Sequence, residues 1–289
     1  MISSRLRPWA VVAAAFGGGI AVLALGLWLA GYPPGLALAA LWQGAFGSWY
    51  ALTSATLVRS VPLIILGLGF ALAMRGGALN IGAEGQFLMG AVAATWVGQL
   101  VAGWPSLLAI PVVLAGAMLA GLLWIVVPVF LKLRFGVLEV ITTLLLNFVA
   151  VEVVSWMVSG PLQESARTYP QSNPIAAAAR LPLLPGARLH LGFAIGIALA
   201  VVLWFVLRRT LWGFQLRAVG LGPRAAEVSG RVSTGRMIGV ALLLSGAIAG
   251  LGGGVEITGV TRALFQNLSP GYGFTAIAVA LLARLHPIG

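Results

Sequence analysis

Apolar segments long enough to cross a bilayer follow one another along almost the whole chain. They lie at 9–30, 57–74, 85–102, 107–131, 137–158, 189–207 and 237–256, and an eighth begins near Phe274. A helix needs about 20 apolar residues to cross a hydrocarbon core of ~30 Å, and these segments lack the period-two alternation of barrel strands. The sequence therefore predicts an all-α, polytopic membrane bundle of seven or eight crossings, with residues 1–289 forming one domain.

Composition and charge agree with a membrane protein. Hydrophobic residues make up 60% of the 289 residues and charged residues only 8%, too few to cover a water-facing surface. The net charge of +11 comes mainly from arginines between the apolar segments. This placement is typical of cytoplasmic loops under the positive-inside rule and is a better explanation of the charge than nucleic-acid binding. An N-terminus on the cytoplasmic side of the membrane places eleven basic residues inside and five outside. Segment 36–56 is either an interfacial helix or a further span.

Several kinds of chemistry are excluded by missing residues. The chain has no Cys and no Asp, which removes thiolate metal sites and cysteine nucleophiles. Its one lysine, Lys132, is not part of a phosphate-binding loop, and its two histidines have no ligand partner at helical spacing. We therefore expect no metal, no cofactor and no enzymatic activity in this chain.

Two breaks interrupt the apolar pattern where no real loop is present. In RGGALNIGAEGQFLMG, at 75–90, Asn80 is placed to cap the next helix and Glu84 to lie in its first turn. The second break is NLSPGYGF, at 267–274, and the two together suggest a weak internal repeat. Irregular backbone at membrane depth must be buried in protein or line a cavity, so these polar residues either cap helices or line a transport pathway.

Polar and small residues inside the spans have specific spacings. Glu139, Thr143 and Asn147 share one helix face, with Glu152 and Ser155 on another face. For Glu152 and Glu256, near the outer span ends, snorkelling to the interface and substrate contact both remain open. The glycines of 246–254 have the small-xxx-small spacing that allows close helix packing.

Two connecting loops are long for a membrane bundle. The outer loop at 160–188 is rich in Pro, Ser and Gln, and we expect it to cap the bundle or contact something outside. The inner loop at 208–236 holds six arginines. It is either a solvated positive-inside loop or a functional element.

Several motifs together resemble a known family. NIGAEGQFLMGA, EVITTLLLNFVA, LRAVGLGPRAAEVSG and SPGYGFTAIAVALLARLHPIG are similar to permease subunits of bacterial ABC uptake systems. The resemblance is closest to the branch that imports nucleosides and simple sugars, which is related to branched-chain amino acid permeases. It implies a cytoplasmic ATPase subunit, a second permease subunit that is identical or a sister, and an extracellular substrate-binding protein as partners.

The resemblance also assigns roles to residues. In such importers a coupling helix docks on the ATPase, and here it would occupy 217–230 within the loop at 208–236. Gly222 and Arg231 depart from the family pattern. The implied coupling residues are Arg217, Gly220, Pro223, Arg224, Ala225, Ala226 and Gly230. The expected pathway residues, taken from the breaks and the resemblance together, are Asn80, Glu84, Gln86, Asn147 and Phe274.

The sequence thus predicts a permease subunit that imports a nucleoside by alternating access. Family members continue with further helices, so we expect the chain to be C-terminally truncated. A sugar or branched-chain amino acid permease remains an alternative, as does a self-contained channel or secondary transporter that works without an ATPase. A purely structural membrane scaffold predicts that alanine at Asn80 or Glu84 leaves transport unchanged.

Overall fold

The structure is a computed structural model that describes residues 3–228 and 232–289. The described residues form α-helices, with isolated β-bridges and no longer strand among them; most connections are short, and the longest joins α7 to α8. The all-α prediction is therefore confirmed. The helices are α1 (Ser3–Leu29), α2 (Pro34–Phe46), α3 (Trp49–Ala51), α4 (Leu57–Arg75), α5 (Ala83–Leu100), α6 (Ser106–Phe135), α7 (Glu139–Ser159), α8 (Gly192–Arg209), α9 (Leu211–Leu221), α10 (Pro223–Val228), α11 (Thr234–Glu256) and α12 (Tyr272–Leu282).

Five helical stretches in the described part of the chain are long and apolar enough to cross a membrane. They are Trp49–Arg75, Ser106–Phe135, Glu139–Ser159, Gly192–Arg209 and Thr234–Thr261. Shorter apolar helices occupy Ala13–Leu29 and Tyr272–Leu282. Helix α5, which corresponds to the predicted span 85–102, is not among the five, since its polar residues, including Glu84 and Gln86 in the first turn, make it less apolar on average. The chain is a multi-pass membrane protein.

The chain divides into two compact units, Met1–Thr56 and Leu57–Gly289. In the first unit, α2 has only 13 residues and no buried side chain. At about 1.5 Å per residue it is too short to cross the bilayer, and the following candidate span begins only at Trp49. Segment 36–56 is therefore not one span of its own.

Helix α11 lies at the centre of the second unit and packs against α4, α5 and α6. Its glycines permit backbone contact: a Cβ on Gly250 would lie 2.3 Å from the Ala117 carbonyl oxygen of α6. A Cβ on Gly253 would lie closer still to the Phe87 carbonyl oxygen of α5. The packing role predicted for the small-residue spacing is confirmed, and this crossing fixes α5 against the centre of the bundle.

The outer loop at 160–188 caps the bundle, as one of the two sequence-based alternatives predicted. Its backbone amides at Ser172, Ile175 and Leu181 donate to carbonyls in the stretch that follows α11, at positions 258, 262 and 264, with distances of 2.7 to 2.9 Å. His190 is buried beneath this segment, and its Nδ1 accepts from the Gly192 amide at 3.1 Å. Burial lowers the pKa of His190 to about 4, so the ring is neutral at physiological pH.

Candidate functional site

The first helix break lies between α4 and α5, at residues 76–82. Helix α4 ends at Arg75, and Gly77 turns the chain with a φ of +78°, a conformation that side chains with a Cβ rarely adopt. Residues 78–81 then run without helical hydrogen bonds until α5 begins at Ala83. Inside a membrane protein the free amides and carbonyls of such a segment need protein partners.

One face of α7 supplies these partners. The Leu79 amide donates to Glu139 Oε1 at 3.1 Å, and Asn147 Nδ2 donates to the Ile81 carbonyl at 3.0 Å. Asn147 Oδ1 accepts from the Gly85 amide at 2.8 Å and so caps α5 from a neighbouring helix. The shared face predicted from spacing is confirmed, and its members bind the broken segment.

Asn80 closes the break from inside the bundle. Its amide forms a reciprocal pair with Gln86, with N···O distances of 2.8 and 3.0 Å, and its Nδ2 also donates to Ser245 Oγ of α11 at 2.9 Å. Its Oδ1 accepts from the Gly82 amide at 3.0 Å. Gly82, not Asn80, is the N-cap residue of α5, and no backbone amide within α5 donates to the Asn80 side chain. The expected direct capping of α5 by Asn80 is therefore replaced by a buried side-chain network.

The second break meets the first at Glu84. Helix α12 begins at Tyr272, and the Gly273 amide in its first turn donates to Glu84 Oε2 at 2.6 Å. Glu84 also lies in the first turn of its own helix, α5. Its carboxylate is thus at the N-termini of two helices, where unpaired amides and the helix dipoles stabilise a negative charge.

A cavity of about 230 Å³ opens beside Glu84. It lies between α5, α7 and the segment before α12, and Gln266 Nε2 crosses it to donate to Ser155 Oγ at 2.8 Å. Its polar lining consists of Glu84, Glu152, Ser155, Gln266, Asn267 and Ser269, with leucine and valine side chains completing the wall. The arrangement is a polar cavity at the place where the two helix breaks meet, and transporters use broken helices of this kind to bind solutes.

The structure brings the predicted pathway residues together but gives them different surroundings. Asn80, Gln86 and Asn147 are each at most 3% exposed and bind other protein groups. Glu84 lines the cavity, whereas Phe274 is 45% exposed on α12, next to the Gly273 contact.

Sequence reasoning did not select Gln266, Asn267 and Ser269 as pathway residues, although Asn267 and Ser269 lie within the second break and Gln266 directly precedes it. Of the two outer glutamates, Glu152 is exposed and lines the cavity. Glu256 is only 5% exposed, so it does not snorkel to the interface. The polar residues Asn267 and Ser269 in the second break were the sequence signal that could have identified this part of the cavity wall.

The arginine-rich inner segment folds into α9 and α10. Pro223 is the first residue of α10, as predicted, and Ala226 is buried while Arg224 and Ala225 are exposed. A Cβ on Gly220 would collide with the Arg75 carbonyl oxygen, so α9 packs directly on the end of α4. Gly230 and Arg231 lie outside the described residues.

Comparison with known proteins identifies the family. The family described as "Branched-chain amino acid transport system / permease component" matches residues 52–289. The chain is 39% identical over 285 residues to the glucose ABC transporter permease protein TsgB13 of Haloferax volcanii, covering 95% of this chain and 73% of that protein.

Two further relatives carry nucleoside names. The guanosine ABC transporter permease protein NupP of Bacillus subtilis is 37% identical, with 94% of this chain and 78% of the relative covered. The nucleoside ABC transporter permease protein NupB of Lactococcus lactis is 34% identical, with 90% and 73% covered. No solved structure matches the chain. The chain therefore belongs to the permease-component family of branched-chain amino acid transport systems and is a transport subunit of the ABC type.

Proposed function

We propose that this chain forms the translocation pathway of an ABC importer for nucleosides and works by alternating access. The observation that carries the proposal is the polar cavity at Glu84, where the first turns of α5 and α12 meet. Alternating access needs a site at membrane depth whose walls belong to separately movable elements. Helices α5 and α12 are joined there through one carboxylate, which is the kind of contact that a rearrangement can break.

The exposed face of α7 supports a second permease subunit beside the cavity. Ile141, Leu145, Phe148 and Trp156 are all more than half exposed along this face, and Glu152 lies among them. A carboxylate on a lipid-facing stripe costs about 2 to 4 kcal/mol, so we place this face against protein or water instead of lipid. An identical or sister permease would complete the pathway from the other side.

The cytoplasmic surface of α9 and α10 supports docking of a separate ATPase subunit. Leu221 is 92% exposed and Val228 is 88% exposed, and an apolar groove of about 600 Å³ runs between α9 and α10. Large exposed apolar groups in water mark a protein-binding surface. We assign Arg217, Pro223, Arg224 and Ala225 to this docking surface, with Gly220 and Ala226 holding it on the bundle.

We take α9 and α10, which hold the arginine-rich inner segment, to lie in the cytoplasm. This agrees with the cytoplasmic N-terminus predicted from the distribution of basic residues and places the 160–188 cap on the outer side of the plasma membrane. An extracellular substrate-binding protein would deliver the solute to this cap.

The names of the relatives support two substrate classes. NupP and NupB carry guanosine and nucleoside in their names, and TsgB13 carries glucose. We take nucleosides as the substrate, with a simple sugar as the second candidate. Both classes carry a polyhydroxylated ring, ribose in a nucleoside and the hexose itself in glucose, and a hydroxyl-binding cavity suits either.

Uptake of labelled guanosine, glucose and leucine tests the proposal in cells that express the complete permease with its neighbouring transport genes. We expect guanosine uptake that stops when the ATPase is inactivated. Uptake that persists without the ATPase would support a secondary transporter instead. Leucine uptake with no guanosine uptake would assign the chain to amino acids.

A matched pair of variants tests the docking surface. Leu221→Glu places a charge on the cytoplasmic apolar surface, whereas Leu184→Glu places the same charge on the outer segment, where the leucine is 42% exposed. We expect Leu221→Glu to lose co-purification of the ATPase and Leu184→Glu to retain it. Equal co-purification of both variants would refute the assigned docking surface.

A further inference from the structure

Two of the six acidic residues in the chain line the cavity, Glu84 and Glu152. All six are glutamates, in a chain whose net charge is +11. Glu139 pairs with Lys132, while Glu164 and Glu227 lie on the outer and inner segments. The other three, Glu84, Glu152 and Glu256, form no ion pair among the described residues. Two of these three unpaired carboxylates therefore belong to the cavity wall.

Glu84 and Glu152 line the same cavity. Among the described residues, no Arg or Lys lines it. A solute entering it meets negative charge without a balancing cation in the wall.

Three side chains of the wall offer acceptor oxygens, beside the donor groups of Ser155, Asn267 and Ser269. Glu84 is only 6% exposed; its Oε2 accepts from the Gly273 amide, and its Oε1 has no hydrogen-bond partner among the described residues. Gln266 uses its Nε2 on Ser155, which leaves its carbonyl oxygen as an acceptor. Glu152 accepts only, when ionised. Such a wall suits ligands that bring several hydroxyl or amine donors.

We propose that this cavity is an acceptor-rich, anion-excluding filter that admits neutral polyhydroxylated solutes and rejects phosphorylated or carboxylated ones. The proposal rests on the proposed transport function and specifies the solute class for the same site. A nucleoside monophosphate would bring two like charges next to Glu84 and Glu152 in a poorly solvated space. A hydrolytic reaction that removes the phosphate must therefore precede import of any nucleotide-derived substrate.

The absence of cysteine from the chain permits a direct test. Ser155→Cys introduces a single thiol into the cavity wall, and Thr168→Cys introduces one on the exposed outer segment as a control. The assembled transporter in membrane vesicles is treated with a cationic trimethylammonium-ethyl or an anionic sulfonatoethyl methanethiosulfonate. Modification of this chain is followed by mass spectrometry.

We expect the ratio of cationic to anionic modification rates to be at least tenfold higher at position 155 than at position 168. Glu152→Gln in the Ser155→Cys background should lower that ratio severalfold. Equal ratios at the two positions would overturn the proposal. A high ratio that neither Glu152→Gln nor Glu84→Gln changes would overturn its assignment to these carboxylates.

Solute protection and uptake separate this proposal from the proposed function. Guanosine should slow modification of the cavity thiol, whereas guanosine monophosphate at the same concentration should not; equal protection by both would overturn the filter. Guanosine uptake by the unsubstituted transporter is measured in parallel. If guanosine is taken up but the thiol at position 155 shows no preference for the cationic reagent, the filter alone is refuted. If the thiol shows that preference but guanosine is not taken up, the proposed substrate alone is refuted.

Discussion

Replacing Asn147 with alanine tests whether α7 holds the first helix break together. The variant leaves the Gly85 amide and the Ile81 carbonyl without their partners, at 2.8 and 3.0 Å in the native protein. Hydrogen bonds between side chains in membrane bundles contribute about 0.6 kcal/mol on average and at most about 1.7. Unsatisfied buried groups in soluble proteins cost about 1 to 3 kcal/mol each.

These magnitudes give a loss of about 2 kcal/mol for Asn147→Ala, since two bonds are lost and the site is only 3% exposed. A domain of this size loses about 2 to 4 °C in melting temperature per kcal/mol, so we expect a decrease of about 4 to 8 °C. The assay is the temperature at which half of the detergent-solubilised protein disappears from the monodisperse gel-filtration peak.

Two control variants isolate the hydrogen bonds. Thr142→Ala removes a hydroxyl on the same helix that binds only its own helix, at the Glu139 carbonyl, and should change the melting temperature little. Asn147→Leu restores the lost volume without polar groups and should remain destabilised. If the melting temperature of Asn147→Ala lies within about 1 °C of the wild-type value, the two hydrogen bonds of Asn147 do not stabilise the first helix break. Recovery in Asn147→Leu would show that the cavity, not hydrogen bonding, caused the loss.

Three further predictions concern packing, pH and charge. Gly253→Ala should abolish the folded yield, since its Cβ collides with backbone, whereas Gly26→Ala, with nothing within 4 Å, should leave the yield unchanged or higher. His190 is neutral in the fold with a pKa of about 4, below its unfolded value of about 6.5, so the unfolded state binds the proton first and stability should fall as pH drops from 6.5 to 4. His190→Gln should flatten that pH dependence of the melting temperature; an unchanged slope would contradict the assignment. Glu139→Gln should destabilise more in the presence of Lys132 than in a Lys132→Met background, and a double-mutant cycle with no coupling would show that the pair contributes nothing.

The periodicity of the sequence was sufficient to predict the helices and part of the candidate site. Run length and composition predicted all-α spans because lipid forces each backbone group to bond within its own segment. The spacing of Glu139, Thr143 and Asn147 predicted a shared face, and the structure confirms that face against the broken segment. The resemblance to ABC permeases, carried by the break motifs, agrees with the family match.

Contacts between distant segments could not be read from periodicity. Asn80 reaches Ser245 across 165 positions, and Glu84 reaches Gly273 across 189 positions. No local pattern encodes these pairs, because side-chain periodicity reports which face is apolar and not which helix covers it. For the same reason, the sequence could not decide whether Glu256 snorkels to the interface or contacts substrate, and its burial in the structure excludes the first alternative.

The sequence by itself determined that this chain is a membrane-spanning helical protein with two polar breaks, since burial in lipid allows few backbone arrangements. The tertiary structure alone decided that the breaks meet at one carboxylate and that a cavity opens beside it. Hydrophobicity is a local property of each segment, whereas a binding site depends on which segments pack together, and that is set by the fit of glycine-lined helices around α11.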